Sequence, residues 1–204
     1  MLFRSGVFEV EFGVTTFRDL IESPLYGGGV RGGKALKAFI PGGASAPWFF
    51  EEHLDIPLEA GAVGAAGSML GSGAIVVMDH TTDAVKACWR IVRFFARESC
   101  GKCTPCREGT TWLEKVLRRI LDGHGRPSDI ELLLDVSDNI SPGITWPPRQ
   151  TTICPLGPSA VSPIASAIVR FRDEFVAYCG GTGETSVAIG GKAYLPPPTV
   201  GAVT

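Results

Sequence analysis

The chain has 204 residues, 19 Lys+Arg against 21 Asp+Glu, three His, six Cys, and 26 Gly plus 15 Pro. That length suffices for one or two domains with a real core, and 45% apolar with 20% charged residues excludes wholesale disorder. A net charge of −2 gives no bulk electrostatic reason to bind nucleic acid or an anionic membrane, and one Gly or Pro in five makes much of the chain turn-rich loop.

No signal peptide is expected, since Met1-Leu2-Phe3-Arg4-Ser5 runs at once into the alternating Val7-Phe8-Glu9-Val10-Glu11-Phe12. That alternation has the period of a half-buried strand. Thr15 to Ile21 predicts a short helix ended at Ser23-Pro24, because the residue before proline avoids the helical region. Ala35 to Ile40 and Ala74 to Met78 are further strand candidates beside glycine punctuation, so residues 6–79 form a small mixed α/β unit. The uncharged stretch Ala60 to Met78 is 19 residues long, but five are Gly, two are Ser, and no Lys or Arg flanks it, so no transmembrane segment is expected. Without a secretory signal the cysteines are expected to be reduced, and clustered thiols then suggest a metal rather than a disulfide framework.

From Thr82 the period becomes helical. Val85, Cys88, Trp89, Val92, Phe95 and Ala96 share one face, opposite Lys86, Arg90, Arg93 and Arg97. A second helix is expected from about Thr110 to Leu121, stopped at Gly123. A third begins at Ser128, where Ser128-x-x-Glu131 is a capping box behind Pro127. A last one carries Pro163 in its first turn and spaces Ile164, Ile168, Phe171, Phe175 and Tyr178 by fours and threes. Four amphipathic helices with short loops imply a bundle over residues 82–179, followed by a loose tail over 180–204.

Two glycine motifs fail their structural context. Gly27-x-Gly29-x-x-Gly32 matches a dinucleotide fingerprint and Gly28-x-x-x-x-Gly33-Lys34 most of a P-loop, yet Glu22-Ser23-Pro24-Leu25-Tyr26 before them is a poor strand. Ala35 also stands where a P-loop needs a hydroxyl for magnesium.

The chemistry concentrates in Glu98-Ser99-Cys100-Gly101-Lys102-Cys103-Thr104-Pro105-Cys106-Arg107-Glu108-Gly109. Thiolates at i, i+3 and i+6 in a Gly/Pro turn can face one cuboidal centre, as the ferredoxin run does for a [4Fe–4S] cluster with a fourth thiolate from elsewhere. Cys154, in a loop before Pro155 and a helix, suits that fourth place; Cys88 lies on an apolar helix face and Cys179 at a helix end. The alternatives are a four-cysteine zinc site, which favours two C-x2–4-C pairs, or disulfides. Nine basic and three acidic residues lie between Lys86 and Arg119, leaving ten against eighteen elsewhere. Most of that excess is a solvated helix face, but Lys102 and Arg107 lie within the cysteine turn, where cations favour the reduced, more negative cluster. No aromatic or RNA-binding motif accompanies the stripe, so nucleic acid is not an expected partner.

The Glu98–Gly109 run resembles the signature of the NADH-oxidising flavoprotein subunit of respiratory complex I, and Ile153-Cys154-Pro155-Leu156-Gly157 resembles that family's fourth-ligand motif. Lys37-Ala38-Phe39-Ile40-Pro41-Gly42-Gly43 and Gly67-Ser68-Met69-Leu70-Gly71-Ser72-Gly73 resemble its soluble ligand-binding β-grasp domain. Asn139-Ile140-Ser141-Pro142-Gly143 and the Trp146-Pro147-Pro148 loop resemble actinobacterial members. The resemblance implies an α+β chain, a β-grasp domain over 6–79 followed by a four-helix bundle over 82–179. It implies Cys100, Cys103, Cys106 and Cys154 as ligands of a [4Fe–4S] cluster, with Ser99, Gly101 and Leu156 as its near neighbours. It further implies electron transfer from NADH-reduced FMN through the cluster toward quinone, beside a [2Fe–2S] subunit and other peripheral-arm subunits on the cytoplasmic face of the membrane. The family's preceding FMN/NADH domain is expected to be absent here, so this chain alone is expected to be inactive with NADH. The same module in diaphorase subunits of NAD-linked hydrogenases and formate dehydrogenases, and a non-redox zinc module, are the alternatives.

Overall fold

A computed structural model describes residues 2–143 and 149–180, together with the backbone of residues 188–189 and 192–193. The tail expectation over 180–204 and the Trp146-Pro147-Pro148 loop therefore fall almost wholly outside the described residues. The chain is a mixture of helices with two small two-stranded sheets, and it divides into two compact units, one ending at Thr82 and one beginning at Asp83.

In the first unit, helix α1 (Phe17–Glu22) forms in the expected place but starts two residues after Thr15. Thr16 and Asp19 form a reciprocal capping box, and Ser23 turns the chain out of the helix before Pro24. Strands β1 (Leu36–Ile40) and β2 (Val76–Asp79) pair antiparallel, Phe39 opposite Val77 and Ile40 opposite Val76, with an irregularity between Leu36 and Ala38. Phe39 also exchanges both backbone hydrogen bonds with Phe49, at 2.7 and 2.8 Å. Phe17, Phe39 and Phe49 then meet with ring centroids 5.0–6.0 Å apart, in tilted and edge-on geometries. His53 stacks flat on Phe49, and its Nδ1 accepts the Phe50 N–H.

The expected strand Val7–Phe12 does not form. Val7 and Phe12 are exposed, and only Phe8 and Val10 are half-buried, Val10 against the aromatic core. Alternation gives a strand its faces but not its hydrogen bonds, and among the described residues no strand pairs with this segment to supply them. The Ala60–Met78 stretch is broken into a six-residue helix α2 (Ala60–Ala65), turns and β2. Among the described residues no helix is long and apolar enough to cross a membrane.

Apart from two-residue strands at Ala188–Ile189 and Lys192–Ala193, the described part of the second unit is helical: α3 (Ala84–Glu98), α4 (Thr104–Arg119), α5 (Ser128–Ile140), α6 (Leu156–Arg170) and α7 (Arg172–Tyr178). α3 buries Val85, Cys88, Val92 and Phe95 and exposes Lys86, Arg90, Arg93 and Arg97, the stripe read from the sequence. Asp83 caps it, accepting from the Lys86 N–H. Several boundaries and one cap differ from expectation. α4 begins six residues before Thr110, because Cys103 takes an extended N-cap conformation and Pro105 suits the first turn. It runs into a π turn, Ile120–His124, that ends on Gly123 at φ +81°. The Ser128 capping box is absent: Pro127 is the N-cap, Glu131 pairs with Arg172, and Asp129 instead takes the Arg126 N–H and the Arg119 guanidinium. α6 starts at Leu156, which leaves Pro163 in the helix interior, and a break at Phe171 separates α7.

Candidate metal centre

The cysteine turn is the junction of α3 and α4. Ser99 ends α3, its N–H donating to the Phe95 carbonyl while ψ swings to 121°. Gly101 sits at φ +78°, a left-handed conformation that L side chains rarely adopt, and lets the chain reverse within three residues. Arg107 reaches back from α4, its Nη1 donating to the Gly101 carbonyl at 2.7 Å, and its Nε pairs with Glu108. Cys100 and Cys103 therefore lie in the loop, exposed and half-buried respectively, while Cys106 lies in the first turn of α4 and is buried. Its sulfur is 3.3 Å from the Ser99 Oγ.

The second piece is the loop that precedes α6. Thr151 Oγ1 donates to the Ile140 carbonyl at 2.8 Å, and Thr152 Oγ1 to the Cys154 carbonyl at 2.7 Å. The Ile153 N–H donates to Cys103 Sγ at 3.3 Å, a bond between residues 50 apart in sequence. That contact seats the Cys154 loop on the three-cysteine turn. Packing reinforces it through Ile140: a Cβ on Gly109 of α4 would stand 2.6 Å from its Cδ1, and one on Gly157 of α6 would stand 2.8 Å from Thr152 Oγ1 and 3.1 Å from Ile140 Cγ2. Two glycines thus let α4, α5 and α6 close around one isoleucine beneath the site.

The remaining cysteines are apart from this arrangement. Cys88 is fully buried on α3, and burial, followed by Asp83 and Glu174, pushes its thiol far above the ordinary range. Burial likewise raises Cys179. Lys102 is exposed in the turn, and Leu156 opens α6 half-buried, two residues after Cys154. Among the described residues, no three His, Cys, Asp or Glu side chains converge as they would on a single metal ion. The Gly27–Lys34 segment is a turn followed by a short 3-10 stretch and β1, and Lys34 bonds the Thr81 hydroxyl and Asp79. No helix N-terminus follows those glycines to meet a phosphate. The sequence reading missed Ile140, Thr152 and the Ile153 N–H. Thr152 and Ile153 had nearness to Cys154 as their only sequence signal, and Ile140 had none, since its role arises from tertiary packing.

Residues 86–178 match the family model described as the NADH-ubiquinone oxidoreductase-F iron-sulfur binding region. Over 180 residues the chain is 47% identical to the F subunit of the NADH-quinone oxidoreductase of Mycobacterium tuberculosis, covering 88% of this chain and 38% of that protein. It is 46% identical to the Streptomyces coelicolor F subunit over 178 residues, 87% of this chain and 37% of the relative. Against the F subunit of Escherichia coli the identity is 44% over 172 residues, 84% of this chain and 36% of that one. The chain thus spans less than two-fifths of the length of these relatives. Its fold is similar to part of an NAD+-reducing [NiFe]-hydrogenase in the H2-reduced state, with a TM-score of 0.70 and 27% identity over 87% of this chain and 28% of that one.

Proposed function

We propose, from the premise that this chain is a relative of the F subunit of NADH-quinone oxidoreductase and carries its iron–sulfur binding region, that it is the electron-transfer part of such an enzyme. In this reading Cys100, Cys103, Cys106 and Cys154 hold a [4Fe–4S] cluster. The single observation that carries it is the Ile153 N–H bond to Cys103 Sγ, which holds the loop of the fourth thiol against the turn of the other three. The donor set fits the group: four thiols, of which Cys103 receives a backbone N–H and Cys106 lies against a hydroxyl, the kind of sulfur-directed hydrogen bonding that anionic clusters use.

When bound, the cluster supplies one-electron storage between FMN, reduced by NADH, and the carriers that lead to quinone. The protein's own part is positioning and electrostatics. Arg107 closes the turn through the Gly101 carbonyl and, with Lys102, brings positive charge to it. Thr152 fixes the backbone of Cys154, and the notch of Gly109, Ile140 and Gly157 keeps the two pieces in register. The unit ending at Thr82 is a β-grasp domain in this reading, and the helices from Asp83 are a four-helix bundle. Support for the former is the meeting of its two glycine loops, where a Cβ on Gly42 would lie 2.2 Å from the Met69 carbonyl oxygen. In this reading the flavin and NADH sites lie in the part of the F-subunit relatives that this chain does not match, and the chain works beside the [2Fe–2S] subunit and the other subunits of a peripheral arm on the cytoplasmic side.

The likeness to the NAD+-reducing hydrogenase favours a second reading, the diaphorase part of an NAD-linked hydrogenase or formate dehydrogenase, with the same cluster. Anaerobic purification of the 204-residue chain tests the shared core of both. Iron and sulfide near four each per chain, with a brown colour and absorbance near 400 nm, is the expected outcome; a colourless protein with one zinc would replace it by the zinc module. The genes neighbouring this one decide between the two redox systems.

A further inference from the structure

We infer that Ser99 is a positioning residue that sets the reduction potential of the proposed cluster by donating its hydroxyl hydrogen to Cys106 Sγ. The inference rests on the cluster reading above. Ser99 Oγ has two polar neighbours, the Gly101 N–H at 3.4 Å and Cys106 Sγ at 3.3 Å. A hydroxyl offers one hydrogen and two lone pairs, and a backbone N–H can only donate. The Gly101 contact therefore occupies a lone pair, and the hydroxyl hydrogen is left for the sulfur. As a ligand Cys106 is a thiolate with no hydrogen of its own, so the direction of the bond is fixed.

The surrounding turn holds this geometry. Ser99 is anchored as the α3 C-cap by its N–H on Phe95, and Gly101 is held in its left-handed conformation with Arg107 on its carbonyl. Cys106 is buried, so water competes little for its sulfur. Of the two hydrogen bonds to cysteine sulfur in the described residues, the Ile153 bond is backbone and resists deletion by a side-chain change. Ser99 supplies the one that a single substitution removes.

The sign follows from charge. Reduction adds an electron that is shared with the thiolate sulfurs, and a donor pointed at sulfur stabilises the more negative state more strongly. Losing the donor lowers the potential. If the reduced state loses about tenfold in its equilibrium against the oxidised state, a one-electron couple shifts by about 59 mV.

The experiment is a dithionite titration of the 204-residue chain followed by EPR, on wild type, Ser99→Ala and Ser99→Thr, with iron counted and thermal melting recorded for each. The expected result is equal iron in all three, unchanged melting, a potential about 59 mV lower in Ser99→Ala, and a wild-type potential in Ser99→Thr, which keeps the hydroxyl. An equal potential in wild type and Ser99→Ala overturns the inference. So does loss of iron from Ser99→Ala, because the hydroxyl would then be a structural prop. So does a Ser99→Thr potential that follows the alanine variant. A wild type without a cluster marks the failure of the cluster reading itself, and is recognised before any variant is compared.

Discussion

The unit that begins at Asp83 and the unit that ends at Thr82 are ordered by different means. In the first, long helices carry an apolar stripe: Val85, Cys88 and Val92 on α3, Leu113 and Leu117 on α4, and Ile164 and Ile168 on α6 are all fully or almost fully buried. In the second, the paired strands are five and four residues long, and the chain is held by an aromatic cluster and by loops that touch backbone to backbone. A helix closes its hydrogen bonds within itself and needs only one buried face, whereas a strand or loop depends on a partner elsewhere. The helical unit should therefore tolerate changes that respect its stripe and fail at the few points that join helices. The unit ending at Thr82 should fail wherever two backbones meet.

The largest expected effect lies at the join in the helical unit. Cys154→Ser removes the proposed fourth ligand, and because ligation free energy is also folding free energy, the helical unit should melt at a lower temperature while losing its cluster. Cys88→Ser and Cys179→Ser, at buried thiols away from the turn, should keep iron near four per chain. Iron and absorbance near 400 nm read the outcome, and full iron in Cys154→Ser would separate that residue from the site.

Two glycine substitutions set the units against each other. In Gly42→Ala the new methyl group would meet the Met69 carbonyl oxygen at 2.2 Å and the Leu70 backbone at 2.7 Å, with no side chain free to yield. A cost of about 3 kcal/mol or more in denaturant unfolding is expected. In Gly109→Ala the obstacle is the end of the Ile140 side chain, at 2.6 and 2.7 Å. Rotation of that side chain relieves part of the clash, so about 1–2 kcal/mol is expected. Equal losses, or the reverse order, would contradict the distinction between the units.

How much of this was legible in the sequence follows the same physics. The α3 stripe, the end of α1 at Ser23-Pro24 and the turn that carries the three cysteines could be read directly, because each is decided by residues within one or two turns of chain. The start of α4 was placed six residues late because Cys-x-x-Cys-x-x-Cys reads as loop, although Pro105 after an extended Cys103 is a helix start. At Ser128 the local capping box lost to distant partners: Arg172 took Glu131, and Arg119 took Asp129. Val7–Phe12 had the strand period but, among the described residues, no strand paired with it. The proposal of Cys154 rests on Pro155 and a loop position before a helix, whereas the Ile140 notch has no such local mark, since Gly109, Ile140 and Gly157 meet only when three successive helices pack.

A smaller effect is expected at Arg107. Arg107→Gln removes a positive charge beside the cysteine turn and weakens the donation to the Gly101 carbonyl. The potential of the cluster should fall, and by a modest amount, because the side chain is exposed and solvent screens its charge. An unchanged or raised potential in the titration used for Ser99 would assign Arg107 to shaping the turn alone.

The smallest effect concerns acid and belongs to the unit ending at Thr82. Asp79, the last residue of β2, accepts from the Thr81 hydroxyl and from the Thr81 N–H at 2.9 Å, with Lys34 Nζ 3.5 Å away. These donors, the Thr81 hydroxyl first, hold its carboxyl down at about 2, against 3.8 when unconstrained. A carboxyl whose value is depressed by folding adds stability that is full above its unfolded value and is lost as pH falls toward its folded one. The contribution of Asp79 should therefore be intact above about pH 4 and fade between about 4 and 2. Asp19, lowered by the Thr16 N–H and hydroxyl, and Asp55, lowered by Arg18, fade in the acid range as well, so the wild-type profile is a sum. Asp79→Asn isolates one part of that sum. It keeps the size of the side chain but cannot ionise, so it should be less stable than wild type at pH 6, and the gap should close as the pH falls to about 2. Thermal melting across that range reads the gap, and a gap that stays constant with pH would mean that the Thr81 hydroxyl and amide do not favour the charged form of Asp79.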